Sequence, residues 1–551
     1  VGPAVLHQAD GRRRGVSDAD DVVSVRRDRG IDHGAQHLVV VADDEPHTVH
    51  LRTGEASTAV HSTDEARRVA AVDATGNGRR PVAGELLVGG ACTTAAAVFA
   101  LRGLAHRSLW GDEGVSALQV IGSNERLVEG LRAEPQFGLY HVLLRGWTVF
   151  GTSDFTLRLM SVVFAVLTVP ALYAVARRLY DERIAGIAAA VLALNGLLLG
   201  YAHELRPYAL AAFTATLATL FLLRALDEPD RPGRWTAWVV AATFAALSHP
   251  FGGMIVVAHG IVLLVRREVV PVRAVALRMA VPALLVGAVA LEMLRLGPSR
   301  LGWIPPAGPY HIAQVGYELA GSHPTAFIAY ALAIAGLMAA VVRADRAARR
   351  RIAFGAGVAV CLLVVPFVLT LGVSMVQSLF VSRYFIVCVP ALVLLVAAGL
   401  GQLRGRVAVV ATIGVLALSL PAAISPVRST NQDWRHAAAL VHSVGAHDLV
   451  VVVPTGLTTL RYYLEENWRS DRLRSVTGSE FSSSTNEQLQ PCHLQAVWLV
   501  VLDGHGAMNE LRRLAGTHSP EESVSLDGLV VTRFERTPGA GAVRPPDEGC
   551  P

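Results

Sequence analysis

Ser108-Leu109-Trp110-Gly111-Asp112-Glu113-Gly114 follows directly behind Val82 to Leu104, the first long apolar run of the chain. A run of that length is enough to cross a bilayer, because about 20 helical residues span the hydrocarbon core. Two adjacent carboxylates at its mouth stand where charge is costly and is kept mostly for a pathway, a ligand or a reaction. Asp112 and Glu113 are therefore the first candidates for chemistry. The fold depends on whether Val82 to Leu104 is one apolar run or one of many.

It is one of many. Apolar blocks fall at about 84–104, 156–176, 184–200, 207–226, 235–248, 251–265, 274–291, 325–342, 352–371, 384–400 and 407–423, which makes eleven candidate spans. The composition agrees: 52% of the 551 residues are hydrophobic and 17% charged, with a mean hydropathy of +0.42, too apolar for a soluble domain. The expectation is an all-α polytopic membrane protein. All 49 basic residues are Arg, and the formal net charge is +4. That pattern reflects GC-rich coding and gives no reason to expect a nucleic-acid partner.

The Arg clusters set the topology. They are Arg177-Arg178 with Arg183, Arg224 with Arg231 and Arg234, Arg266-Arg267 with Arg273, Arg343 to Arg351, and Arg404 with Arg406. All fall in alternate loops, which the positive-inside rule places in the cytoplasm. A further stretch, Phe137 to Phe150, is short and broken by His141 and Arg145, and suits a surface helix better than a span. With that helix on the surface, the Asp112 loop is extracytoplasmic, the N-terminus is inside and the tail from about 424 is outside. Residues 1–82 hold no apolar run fit for a core and are expected to be disordered and cytoplasmic. No cleavable leader is visible before Val82 to Leu104, which is expected to act as a signal anchor.

The outside loops share a set of polar residues. Tyr201-Ala202-His203-Glu204-Leu205-Arg206-Pro207-Tyr208 follows the third block, Ser248-His249-Pro250 divides the fifth from the sixth, and Ser382-Arg383-Tyr384 opens the tenth. Carboxylates can serve as general base or hold a divalent cation, and guanidinium groups can clamp a phosphate bidentately. The set suits a polyprenyl-phosphate sugar, with its tail in the bilayer and its phosphate at the surface. Glu204, Arg206, Tyr208 and Arg383 are the candidates for holding that donor.

Several motifs occur in order: Trp110-Gly111-Asp112-Glu113, then Phe137-Gly138-Leu139-Tyr140, then Phe150-Gly151 and Leu157-Arg158-Leu159, then Glu204-Leu205-Arg206-Pro207-Tyr208. This series resembles the GT-C membrane glycosyltransferases, within them the protein O-mannosyltransferase and aminoarabinose-transferase branch called glycosyltransferase family 39. The resemblance covers roughly 84–423. It implies the GT-C fold of eleven or more spans, with surface helices and the catalytic Asp in the first external loop. It places Asp112 at the catalytic position and Glu113 beside it. Many members carry two prolines where Phe137-Gly138 stand here. Some relatives hold a divalent metal between loop carboxylates and a His, for which Glu134 and His249 are the nearest candidates. The implied reaction is inverting transfer of a sugar, mannose among the candidates, from a polyprenyl-phosphate donor to an extracytoplasmic glycan, lipid or protein hydroxyl.

Other readings of the same residues stand beside these. Asp112 is a good N-cap for a helix starting at Glu113. Arg206 and Arg383 suit snorkelling to lipid head groups. His249 suits a turn, Glu204 suits pairing with Arg206 or His203, and Tyr201 and Tyr208 suit an interfacial belt. A polytopic transporter or lipid-sugar flippase would also carry many spans, although no internal two-fold repeat is visible.

The tail differs in kind. Asp433-Trp434-Arg435-His436 opens a helix. Apolar strands are expected at Asp448 to Pro454, Ala496 to Asp503 and Gly528 to Phe534, with helices near 456–466 and 506–515. This predicts a small extracytoplasmic α/β domain over 424–536, following the membrane domain 83–423 and leading to a disordered end, 537–551. Asp503-Gly504-His505 alone carries little. Cys492 and Cys550 are placed to pair as a disulfide if the tail faces an oxidising compartment.

Overall fold

The structure is a computed structural model and describes residues 25–28, 36–42, 45–51, 83–295, 304–425, 432–442, 444, 448–453, 456–464, 473–475, 496–502 and 518–537. The expected helix at 506–515, Asp503-Gly504-His505, Cys492 with Cys550, and 538–551 lie outside the described residues, as does most of 1–82. The chain divides into two compact units, 1–82 and 83–551.

In the first unit, β1 (Val25–Asp28), β2 (Gln36–Ala42) and β3 (Glu45–Leu51) form an antiparallel sheet in the order β1-β2-β3. The composition had predicted no element here. The β-branched residues Val39-Val40-Val41 and Thr48-Val49 favour strands locally, a signal that an argument from core size passes over.

All eleven apolar blocks of the second unit are helical. In chain order the helices are α1 (Ala83–Leu101), α2 (Gly111–Ile121), α3 (Asn124–Ala133), α4 (Gly138–Trp147), α5 (Asp154–Leu179), α6 (Glu182–Ala193), α7 (Gly196–Ala202), α8 (Tyr208–Asp227), α9 (Pro232–Ser248), α10 (Pro250–Val265), α11 (Val272–Arg295), α12 (Pro309–Leu319), α13 (Pro324–Arg343), α14 (Arg346–Ser374), α15 (Val389–Gly401) and α16 (Gly405–Ile424). Among the described residues, six helical segments are long and apolar enough to cross a membrane, and eight if each bent pair is one span. Leu87–Leu101 and Pro250–Val265 are shorter apolar helices. One bent pair is α6 with α7, which meet at 54°. Asn195 sits at the break, its side chain accepting the N–H of Leu198 and donating to the carbonyl of Leu319. That is how a polar side chain re-satisfies a broken helix at membrane depth.

The helices pack through small residues. A Cβ on Gly399 of α15 would collide with the carbonyl of Ala333 on α13. Such close approach is the usual basis of association in lipid, where apolar burial gives little drive. Three of the Arg-rich loops are tied together: Arg178 pairs with Asp227, Arg231 and Arg234 pair with Glu228, and Arg183 donates to the carbonyl of Leu403.

The segment Phe137 to Phe150 is a 3-10 turn, the ten-residue helix α4 and a second 3-10 turn. Ten residues rise about 15 Å, half the hydrocarbon thickness. Tyr140 and Leu144 bury against Leu109, Ala117, Val120 and Leu157, whereas Val149 and Phe150 are exposed. Arg145, which interrupts the apolar run, donates to the carbonyls of Val120 and Gly122 at 2.5 and 3.0 Å. It therefore caps the C-terminus of α2 with a fixed positive charge.

After α16 come α17 (Trp434–His442), β4 (Leu449–Val453), α18 (Leu457–Tyr463), β5 (Leu473–Ser475), β6 (Ala496–Leu502), β7 (His518–Leu526) and β8 (Leu529–Arg536). The strands form one sheet in the order β5-β4-β6-β8-β7. β4 is parallel to β5 and β6, and β8 runs antiparallel to β6 and β7. Trp434, Ala437 and Val441 of α17 and Leu460 of α18 bury against Val450, Val452, Val500 and Val531. The three expected strands are present, joined by two edge strands, β5 and β7.

Candidate active site

Glu113 and Asp112 are neighbours with different surroundings. The Glu113 side chain is 0% exposed and faces Arg158, itself 1% exposed. Arg158 Nε donates to Glu113 Oε1 at 2.8 Å and Nη2 to Oε2 at 2.5 Å. Oε1 also accepts the N–H of Leu205 at 2.7 Å, and Oε2 that of Trp110 at 3.1 Å. The remaining donors of Arg158 go to the carbonyls of Leu104, Arg107 and Ser108. A buried ion pair is tolerated when its other polar groups are satisfied in this way. Glu113 is thus enclosed, its carboxylate engaged by Arg158 and by two backbone N–H groups. Its part is to lock the first loop onto α5 and onto the Glu204–Tyr208 turn.

Asp112 points the other way, with its side chain 41% exposed. It lies in the first turn of α2, which begins at Gly111 with Trp110 at the N-cap, so it does not cap a helix starting at Glu113. Arg206 lies across from it. The nearest approach of Arg206 Nη2 is 4.0 Å to Asp112 Oδ2 and 3.9 Å to Glu134 Oε1, beyond hydrogen-bond length in both cases. Nη1 donates to Ser116 Oγ at 3.2 Å and to the carbonyl of Asp112 at 3.4 Å. The guanidinium carbon sits 5.0 Å from the centre of the Phe137 ring. Burial works against the charge on Arg206, yet the carboxylates of Asp112 and Glu134 outweigh it and raise its pKa. Arg206 is therefore a fixed buried cation shared between two carboxylates, each near enough to attract it without closing on it.

Aromatic rings line this centre. Phe137 stacks on His249 at 5.6 Å, His249 lies 5.2 Å from Tyr384 and 5.8 Å from Tyr208, and Tyr208 meets Tyr201 edge-on at 4.9 Å. Arg383 lies over the Tyr384 ring, 5.7 Å from its centre. The structure thus brings Asp112, Glu134, Arg206, Tyr208, His249 and Arg383 together from four loops distant in sequence. Glu204 is fully buried.

His249 caps α10, its Nδ1 accepting the N–H of Phe251 at 3.2 Å. Nδ1 is then an acceptor, which leaves the proton on Nε2. Burial, then the charges of Arg206 and Arg383, push its pKa down to about 3. His141, also buried, is 4.0 Å from Glu134 and is lowered to about 3 by burial and by Arg206. Of the two candidate metal ligands, Glu134 lies beside Arg206 and His249 stacks on Phe137. Among the described residues no group of three or more His, Cys, Asp and Glu side chains could hold a metal ion. Arg206 already sets a positive charge beside Glu134.

Sequence reasoning assigned no role to three contributors. Arg158 carried one signal, a lone guanidinium in the first turn of an apolar span. Phe137, under the Arg206 guanidinium, stood out only as a departure from a proline pair. Tyr384 passed as a neighbour of Arg383.

Residues 139–291 match the sequence profile of the family described as dolichyl-phosphate-mannose-protein mannosyltransferase. Among solved structures, the chain is similar to ArnT from Cupriavidus metallidurans in the apo state, with 17% identity and a TM-score of 0.53, over 80% of this chain and 97% of ArnT. It is similar also to the same protein bound to undecaprenyl phosphate, with 16% identity and a TM-score of 0.51, over 82% of this chain and 98% of that one. No curated protein sequence matches the chain. At these identities the likeness is one of fold, and the chain has the fold of a GT-C membrane glycosyltransferase.

Proposed function

We infer that the protein is a polytopic membrane glycosyltransferase that moves a sugar from a polyprenyl-phosphate donor to an acceptor hydroxyl. The observation that carries this reading is Arg206, a buried cation standing 4.0 and 3.9 Å from Asp112 and Glu134 beside an exposed Asp112 carboxylate. The profile match at 139–291 and the likeness to a protein solved with undecaprenyl phosphate support the donor class.

The chemistry follows from charge. A carboxylate is too weak a base to ionise a free alcohol, but Asp112 can accept the hydroxyl proton as the oxygen bonds to the anomeric carbon. The bond from that carbon to the phosphate oxygen breaks on the opposite face, and its electron pair leaves on the lipid phosphate. Attack and departure on opposite faces invert the anomeric centre. Arg206 and Arg383 stabilise the charge growing on the phosphate, and a fixed donor of this kind is worth about 3–4 kcal/mol. Glu134 steadies Arg206, and the aromatic rings exclude water and offer faces to a sugar. Mannose is the first sugar to try, because the matched profile is that of mannosyltransferases.

In this reading the Arg-rich loops are cytoplasmic. The Asp112 site and the α/β domain face outside, where a glycan, lipid or protein hydroxyl serves as acceptor. The test is a panel of radiolabelled polyprenyl-phosphate sugars supplied to purified protein in vesicles. The expected result is consumption of one donor, with release of polyprenyl phosphate and label on an acceptor. Movement of intact donor between leaflets without cleavage of the sugar–phosphate bond would make the protein a flippase instead.

A further inference from the structure

The loop ahead of Asp112 is held from outside the bundle. The N–H of Leu109 donates to the Tyr463 hydroxyl at 2.6 Å, and the N–H of Gly111 donates to Gln432 Oε1 at 3.2 Å. Thr459 Oγ1 donates to the carbonyl of Gly111 at 3.2 Å. Ser108 Oγ donates to Asp433 Oδ1 and accepts the N–H of Arg435, both at 3.1 Å. These partners come from 432–463, and the two backbone anchors are separated from the loop by 321 and 354 residues of chain.

We propose that the α/β domain is the positioning half of the Asp112 site, with Gln432 and Tyr463 as positioning residues that fix the Asp112 carboxylate relative to Arg206. This rests on the transferase reading above. Gln432 Oε1 accepts two N–H groups, that of Gly111 and the indole Nε1 of Trp434 at 2.8 Å. Trp434 is buried in the core of the α/β domain. One oxygen therefore joins the centre of that domain to the backbone one residue before Asp112.

Tyr463 makes a second joint. Its hydroxyl accepts from Leu109 and donates to Asp154 Oδ2 at 2.6 Å. Asp154 also receives the Tyr462 hydroxyl and Arg435 Nη2, each at 2.8 Å. On α5, Asp154 precedes by one turn Arg158, which holds Glu113. The two residues lie at i and i+4 on one helical face. Arg158 binds acceptor groups of the loop, and Asp154, through Tyr463, binds its donor. Asp112 is thus fixed in space by its backbone while its own carboxylate stays uncommitted.

Each released residue regains two soft dihedral angles, and misplacing a reacting group by about 1 Å costs about 10²-fold in rate. In vesicles, Gln432→Leu is expected to lower kcat by about 10- to 100-fold, with the donor KM within about twofold of wild type. Gln432→Glu keeps an acceptor for both N–H groups and should recover most of the turnover. Tyr463→Phe removes one hydroxyl and serves as the second variant should Gln432→Leu not fold. Hydrogen exchange of the amides in 108–113 provides a readout independent of activity. Exchange at Leu109 and Gly111 is expected to quicken at least about tenfold in the corresponding variants. An active wild type with Gln432→Leu and Tyr463→Phe unchanged in kcat overturns the proposal, as does exchange at wild-type rates in both. An inactive wild type defeats the transferase reading, and the exchange rates then decide the anchoring by themselves.

Discussion

Glu113 and Arg158 form a closed pair, so neutralising the carboxylate in Glu113→Gln leaves a guanidinium buried against three backbone carbonyls without its paired counter-charge. Breaking one side of such a pair costs about 3–5 kcal/mol. The expected outcome is a marked fall in Tm in detergent and little folded protein, with activity lost only in proportion. Wild-type thermal stability in Glu113→Gln would show that the pair does not hold the loop. At Arg206 the expectation differs, because Arg206→Gln removes charge where the leaving phosphate develops it. Turnover should fall about 10²- to 10³-fold in a donor-consumption assay. The sequence singles out Asp112 and Arg206 because both stand at the ends of apolar runs, and the structure places them 4.0 Å apart. Which of Asp112 and Glu113 is buried was not legible. It is decided by which carboxylate meets Arg158, 45 residues away, and no local pattern carries that information.

At the scale of elements, α2 is wedged between the membrane helices and α18. A Cβ on Gly114 would collide with Thr459, its backbone Cα lying 2.6 Å from the added atom. Backbone cannot step aside as a flexible side-chain tip can, so Gly114→Val should cost about 1–3 kcal/mol. A lowered Tm, together with faster hydrogen exchange along 108–113, would register it. The apolar blocks were legible because their period and length are local properties, and each is helical. The short helix α4 was legible for the same reason, since His141 and Arg145 cut the run. The sheet at 25–51 was missed because its β-branched runs lie among charged residues. The joints of Gln432 and Tyr463 to the first loop were missed because hydrogen bonds spanning more than 300 residues leave no trace in spacing.

For the molecule as a whole, two buried histidines beside Arg206 set a pH dependence. His141 and His249 have an ordinary value of 6.5 and are held down to about 3 in the folded protein. A depressed folded value means that the neutral form is favoured by folding. Their contribution to stability is therefore fully present above pH 6.5 and is lost as the pH falls from 6.5 towards 3. Thermal stability in detergent should decline over that window, and His249→Gln should flatten the decline. The same wild-type and His249→Gln slopes would refute the assignment.

The central claim is that Asp112 does the chemistry while its neighbours build the site. The most direct measurement is turnover of the consumed polyprenyl-phosphate sugar by Asp112→Asn in vesicles, with Tm taken on the same preparations. The account predicts an unchanged Tm and a loss of about 10²- to 10⁴-fold in turnover, the usual range for removing a general base. Wild-type turnover by a folded Asp112→Asn protein would contradict it.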